Sequence, residues 1–89
     1  MSTHLVYPAL VDGSPGAYGV VFPDIDGIGA MGETVEEALE NARAVLIDYA
    51  IEMARDGLPL DTPSKPDAVI TPPGSRLTTV TLDIVPVAQ

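Results

Sequence analysis

The sequence contains no cysteine and only four basic side chains, and both shortages restrict what the protein can do. Without cysteine, the chain can form neither a disulfide framework nor a thiolate metal site. Thirteen acidic residues outnumber the four scattered cations and give a formal net charge of −9. DNA and RNA binding needs clustered cations that displace counterions from phosphates. We therefore expect no direct nucleic-acid binding from this chain.

Long apolar runs are missing as well. No stretch approaches the ~20 residues that a bilayer-spanning helix needs, and residues 1–4 show no basic region ahead of an apolar segment. We expect a cytoplasmic protein without membrane contact, built as a single domain over residues 1–89. A chain this small buries only about 60 to 65% of its unfolded surface, so self-association would stabilise it. The negative charge either attracts a basic partner or simply keeps the protein soluble.

The strongest local pattern predicts a helix over residues 34–56. Thr34 and Glu37 have the spacing of a capping box, in which the Thr34 hydroxyl accepts from the Glu37 amide and the Glu37 carboxylate accepts from the Thr34 amide. Gly57 and Pro59 end the helix, because glycine can adopt a left-handed conformation and proline cannot continue the helix. Apolar residues recur at steps of three and four and predict one buried face: Val35, Leu39, Ala42, Leu46, Tyr49 and Met53.

A second apolar group widens the apolar arc in the later half of this helix. Ile47, Ile51 and Ala54 lie roughly 100° round from the main stripe. Our first interpretation is that the proline-rich segment that follows the helix covers them. The alternative is an interface with another subunit or with a partner.

Alternating apolar residues predict four strands, over residues 4–11, 17–22, 28–32 and 78–85. Residues 12–16 read as a five-residue turn, so the first two strands should form an antiparallel hairpin. The proline-rich residues 58–76 predict an extended connection. The order β-β-β-α-β predicts an α+β domain whose sheet is covered on one face by one long helix. The last strand is expected beside the first.

Groups for catalysis are scarce and are not arranged for it. His4 is the only histidine, and no serine or acidic residue is spaced to act with it. Asp24, Asp26 and Asp83, with Glu33, resemble a set of oxygen ligands for two divalent cations. However, the first strand carries no carboxylate to anchor them, so Asp24 and Asp26 are better explained as turn residues that bond nearby backbone amides. We expect no enzyme activity, no metal and no cofactor.

Two segments carry a resemblance to a known family. Residues 18–27 (YGVVFPDIDG) form a strand that ends in a Phe-Pro-Asp turn, with a glycine a few residues later. Residues 32–42 (GETVEEALENA) continue with Gly-acidic-Thr and a helix rich in Glu and Ala. In this order and spacing the chain resembles the HicB antitoxin family, and the resemblance covers about residues 4 to 85.

The resemblance implies a partial RNase H-like fold without nuclease activity. It also implies an antitoxin that binds a HicA-like toxin, a small basic mRNA interferase, and blocks its active site. Family members assemble as dimers or tetramers, so a homo-oligomer is expected. Many members continue into a DNA-binding domain after the last strand, whereas this sequence ends at Gln89. Either it is a stand-alone form or the DNA-binding part is absent from this sequence, and operator binding by this chain is not expected in either case.

Four residues are our predicted contacts with the toxin, chosen for their charge and expected exposure: Asp24, Asp26, Glu36 and Glu40. A solvated role without any partner is the alternative for each of them. Two other functions stay open at this point. One is an oligomeric HicB-like scaffold without a toxin, and the other is an RNase H-like metal-dependent nuclease.

Overall fold

A computed structural model describes residues 3–84 of the chain. The described elements, in chain order, are β1 (Thr3–Ser14), β2 (Ala17–Val21), β3 (Gly29–Gly32), α1 (Val35–Arg55), a 3₁₀ turn (Pro66–Ala68) and β4 (Arg76–Ile84). The strands form one antiparallel sheet in the order β3-β2-β1-β4. The predicted α+β class is confirmed, with α1 on one face of the sheet and β4 beside β1. The predicted end of the last strand, Val85, lies outside the described residues.

The β1–β2 hairpin is tighter than predicted. β1 continues to Ser14, which pairs with Ala17, so Pro15 and Gly16 form a two-residue loop and the predicted five-residue turn is wrong. Proline fixes φ near −65°, and Gly16 adopts φ +90°, which is the combination of a type II turn. Gly13 also has positive φ (+100°), and a Cβ there would lie 2.2 Å from the Ala17 carbonyl oxygen. Glycine at this position therefore lets the pairing continue up to the turn.

The ends of α1 follow the predicted capping, with one change of partner. The Thr34 hydroxyl accepts from the Glu37 amide at 3.0 Å, as predicted. The Glu37 carboxylate instead accepts from the Glu33 amide at 3.0 Å, one residue before the predicted donor. At the other end, the Gly57 amide donates to Ala54 and the Leu58 amide to Met53, which is a Schellman motif.

The buried line of α1 is shifted from the predicted stripe. Its fully buried residues recur every four positions and are mostly small: Ala38, Ala42, Leu46 and Ala50. Several predicted core residues, such as Val35 and Leu39, are only half-buried. The shift follows from the close approach of α1 to β3, where a Cβ on Gly32 would lie 2.4 Å from the Ala38 amide nitrogen.

The sheet presents its second face without a helix. The register pairs Val6 with Thr81 and Leu10 with Val21, and side chains of paired residues project to the same side. Those residues therefore lie opposite the face that carries Tyr7 and Val80, both of which are buried in the core. Val6 and Val21 remain 41% and 53% exposed. This second face is therefore only partly covered, because Pro8, which lies on it between Val6 and Leu10, is fully buried.

Candidate functional site

The four predicted contact residues divide into two pairs on different elements. Asp24 and Asp26 lie in the turn between β2 and β3, and Glu36 and Glu40 lie in the first two turns of α1. Asp26, Glu36 and Glu40 are exposed as expected, but Asp24 is half-buried. The exposure expected for Asp24 is therefore wrong, whereas toxin contact by all four residues stays a prediction.

The two pairs lie toward opposite ends of α1. Asp24 accepts from Ser64, which is three residues beyond Asp61, and Asp61 accepts from Tyr49 in the later half of α1. Glu36 precedes Tyr49 by thirteen residues on the same helix, or about 20 Å at ~1.5 Å per residue. A partner that touches both pairs must therefore span most of the length of α1.

Asp24 has a structural role that the sequence did not reveal. One carboxylate oxygen accepts from the Ser64 backbone amide at 2.7 Å, and the other accepts from the Ser64 hydroxyl at 2.6 Å. The turn itself is closed by a backbone bond from the Ile25 amide to the Phe22 carbonyl oxygen at 3.0 Å. The prediction that Asp24 bonds its neighbouring amides is therefore wrong, because its acceptors are used 40 residues away.

A second contact of the same connection involves two tyrosines, and we call it the Asp61 clasp. The hydroxyl of the fully buried Tyr7 donates to the Asp61 carbonyl oxygen at 2.6 Å. The hydroxyl of Tyr49 donates to the Asp61 carboxylate at 2.6 Å. This bond, with burial and the nearby charge, raises the pKa of Tyr49 to about 12. Burial, followed by the charges of Asp61 and Asp24, also raises the pKa of Tyr7.

Sequence reasoning missed this clasp, although one signal for it was present. A tyrosine in the middle of a predicted buried face must place its hydroxyl against an acceptor. Both Tyr7 and Tyr49 fell on such faces, and the proline-rich connection contains acceptors such as Asp61. The partner of each hydroxyl depends on where the connection crosses the fold, and the local pattern does not carry that information.

The N-terminal end of α1 carries a dense acidic surface. Four exposed carboxylates lie within eight residues: Glu33, Glu36, Glu37 and Glu40. Among residues 3–84 the only ion pair within 4 Å joins His4 and Asp83, so no Lys or Arg forms an ion pair with this surface. Glu36 and Glu37 also lie in the first helical turn, where the helix dipole stabilises negative charge. We call these four residues the acidic end; it suits a basic partner.

The apolar group on the later half of α1 is not covered by the proline-rich connection. Ile47 and Ile51 remain 38% and 50% exposed, and Ala54 is exposed too. The first interpretation of this group is therefore wrong. The connection instead inserts Leu60 against the core and bonds Tyr7 and Tyr49 through Asp61.

Two further features bear on function. Within the part of the chain that the structure describes, no three His, Asp or Glu side chains come together in a group that could hold a metal ion. The single α-helix among these residues is too polar to cross a membrane.

Comparison with known proteins gives concordant results. Residues 7–88 match the family described as "HicB_like antitoxin of bacterial toxin-antitoxin system". The search of curated proteins gave no significant match. The chain is similar to the crystal structure of the Burkholderia pseudomallei antitoxin HicB, with a TM-score of 0.75, 27% identity and 85% of this chain covered. It spans only 61% of that antitoxin's length.

Two other solved structures align over nearly their full length. The N-terminal domain of the same Burkholderia pseudomallei HicB has a TM-score of 0.77 and 26% identity, with 90% of this chain and 100% of that domain covered. A HicA3 and HicB3 toxin-antitoxin complex contains a chain with a TM-score of 0.71 and 27% identity, and the match covers 85% of this chain and 95% of that one.

Proposed function

The chain belongs to the HicB-like antitoxin family, and from that membership we propose that it is an antitoxin that binds a small basic HicA-type mRNA interferase and covers its active site. The observation that supports this most directly is the acidic end of α1, whose carboxylates form no ion pair with a Lys or Arg within residues 3–84. The antitoxin acts by occupying a surface, without catalysis, and it works in the cytoplasm as a homo-oligomer.

Charge complementarity gives this binding its rate and its selectivity. A chain with a net charge of −9 attracts a basic toxin at long range, and the attraction falls as salt screens it. The toxin needs its own cations to hold RNA phosphates. An acidic surface placed over those cations therefore competes with RNA for the same groups. This is the physical basis of inhibition by covering.

The contact surface includes Glu36 and Glu40 at the acidic end, and Asp26 at the turn between β2 and β3. All three side chains are exposed and carry no ion pair among the described residues. Asp24 contributes mainly by holding the connection through Ser64. Substitutions at Asp24 would then weaken toxin binding through the position of the turn.

The test is toxin binding by variants with matched charge changes. We expect the double variant Glu36→Gln/Glu40→Gln to raise the Kd about fivefold, because two exposed ion pairs together contribute roughly 1 kcal/mol. Asp48→Asn/Glu52→Gln is the control, since it removes the same number of charges from exposed sites on the same helix. Equal effects of the control and the double variant would remove the acidic end from the interface.

The role of Asp24 is tested by comparing substitutions at Asp24 with a substitution at Ser64, which donates both hydrogen bonds to it. Asp24→Asn removes a charge and weakens the bond to Ser64, whereas Ser64→Ala removes only the hydroxyl bond. If Asp24 acts through the turn, both variants weaken toxin binding to a similar degree. If Asp24 contacts the toxin directly, only Asp24→Asn weakens it. Failure of the unaltered chain to bind or inhibit a HicA-type toxin would leave a scaffold without a toxin as the better account.

A further inference from the structure

β4 is the long edge strand of the sheet. Its nine residues, Arg76–Ile84, pair with β1 on one side, and no other strand of residues 3–84 pairs with them. Natural sheets protect such edges with lysine, proline, bulges or very short strands. β4 contains no lysine and no proline, and it is rich in Thr, Val and Leu, which favour strands.

The opposite edge of the sheet is protected. β3 has only four residues, two of which are glycine. The side-chain amide of Asn41 on α1 donates to the Met31 carbonyl oxygen at 2.8 Å, so a helix residue already uses one backbone acceptor of this strand. The fold therefore offers one free edge of useful length, and that edge is β4.

The position of Pro8 shows which backbone groups of β4 point outward. Pro8 pairs with Thr79, and it has no amide proton to give to the ladder. Proline is tolerated where its nitrogen points to a side without a bonded strand, and β2, which pairs only with Leu10–Ser14, does not reach Pro8. The Pro8 nitrogen thus points away from β4, so the amide and carbonyl groups of Thr79 point outward. Alternation extends this to Leu77, Thr81 and Asp83.

An open groove of about 490 Å³ runs above this edge, between α1 and β4. Its walls include Glu40 and Arg43 on α1 and Thr79–Thr81 on β4. Arg76 lines the neighbouring end of the same surface, whereas Asp83, which pairs with His4, projects to the other face of the sheet. Arg43 and Arg76 therefore outnumber Glu40 on this surface, in a chain whose net charge is −9. The surface is thus a favourable site for another copy of an acidic chain.

We propose that β4 pairs antiparallel with β4 of a second copy of this chain and joins the two sheets into one of eight strands. A two-fold axis perpendicular to the sheet near Thr79 keeps both α1 helices on the same side. That axis reverses the direction of one helix, so Glu40 of each copy faces Arg43 of the other. The groove walls of the two copies therefore bring opposite charges together, as an isologous interface requires. This inference extends the homo-oligomer of the proposed function, and it concerns the chain without toxin.

The contact between the two copies must also include α1 to reach the size of a stable interface. A nine-residue strand is about 30 Å long at ~3.3 Å per residue. The edge of a single strand of that length covers less area than the roughly 800 Å² per partner of a standard interface. The exposed apolar line on α1 provides further area, because it continues from Glu40 at helical spacing of four and three: Ala44, Ile47, Ile51 and Ala54. Exposure of Ile47 (38%) and Ile51 (50%) in the single chain is accounted for in this way.

The first test is the oligomeric state of Thr79→Pro, measured by sedimentation equilibrium over a range of concentrations. The outward amide of Thr79 is not used within the single chain, so proline there should leave the monomer folded, as far-UV circular dichroism would report. We expect the unaltered chain to be a dimer and Thr79→Pro to dissociate at least tenfold more readily. Thr79→Val, which keeps the backbone amide, is the matched control and should remain dimeric.

The second test is a charge exchange that does not depend on proline. Glu40→Arg places like charges opposite each other and should weaken the dimer several-fold, whereas the double variant Glu40→Arg/Arg43→Glu should restore it. A monomeric unaltered chain would overturn the proposal, and so would a dimer that Thr79→Pro leaves intact. Protection of β4 amides from hydrogen exchange only after toxin is added would assign this edge to the toxin and overturn it too. Because these measurements use the chain alone, their outcome is separate from that of toxin binding.

Discussion

Gly32 is the position where one added methyl group should do the most damage. A Cβ built there lies 2.4 Å from the Ala38 amide nitrogen and 2.8 Å from the Ala38 Cα. Both atoms belong to the backbone of α1, so no flexible side chain can move aside. Extra atoms forced into a packed contact cost about 1–3 kcal/mol. At the middle of this range, Gly32→Ala should lower the Tm by roughly 8–16 °C, since 1 kcal/mol corresponds to about 4–8 °C in a domain of this size.

Gly19→Ala is the matched control for this prediction. Gly19 lies on the adjacent strand β2, and its Cβ would meet only the end of the Asp12 side chain, at 3.0 Å. Glycine-to-alanine exchange at a compatible position stabilises by about 0.4–1 kcal/mol through the unfolded state, so this variant should keep or slightly raise the Tm. Both should be measured by thermal unfolding at several protein concentrations, because self-association shifts apparent stability. Equal Tm values for the two variants would refute the argument that β3 and α1 touch at Gly32.

Three further predictions concern the core and the connection between α1 and β4. Leu46→Ala should lower the free energy of unfolding by about 2–5 kcal/mol in urea titrations, because Leu46 is fully buried and leaves a cavity; a loss below 1 kcal/mol would contradict its central place. Ser64→Ala should lower the free energy of unfolding by about 1–2 kcal/mol, because the substitution removes one hydrogen bond to a charged acceptor. In an Asp24→Ala background, which already lacks that acceptor, Ser64→Ala should have no further effect. For Tyr49, the pKa of about 12 in the folded protein exceeds the ordinary value of 10.0. The contribution of Tyr49 to the free energy of unfolding is therefore complete below pH 10 and is lost as the pH rises through 12. Tyr49→Phe should therefore flatten the fall in stability between pH 10 and 12, and an unchanged slope would show that Tyr49 does not titrate there.

The local sequence pattern was sufficient to predict the helix and the order of the strands. Thr34, Glu37 and Gly57 mark the ends of α1 because capping is a matter of a few neighbouring residues. The length of β1 was underestimated because Gly13 reads as a turn residue by composition. In the structure its positive φ (+100°) serves strand pairing next to a two-residue turn. The composition of a segment does not distinguish these two uses of glycine.

The site was less accessible to sequence reasoning than the fold. Charge and expected exposure selected Asp26, Glu36 and Glu40, and all three are exposed. The same two criteria also selected Asp24, but its carboxylate accepts hydrogen bonds from Ser64 because the proline-rich connection returns across the fold at that point. The same return places Asp61 between Tyr7 and Tyr49 and leaves Ile51 exposed. The path of a long connection depends on contacts between residues far apart in sequence, which periodicity and composition do not encode.

The most direct test of the antitoxin account is a titration of this chain into a HicA-type toxin, with RNA cleavage as the signal. Covering an active site requires one antitoxin surface for each toxin molecule, so cleavage should fall linearly and stop near one chain per toxin. The apparent affinity should also decline as salt is raised. Undiminished RNA cleavage at a molar excess of this chain would contradict the account, and so would full inhibition by a small fraction of an equivalent.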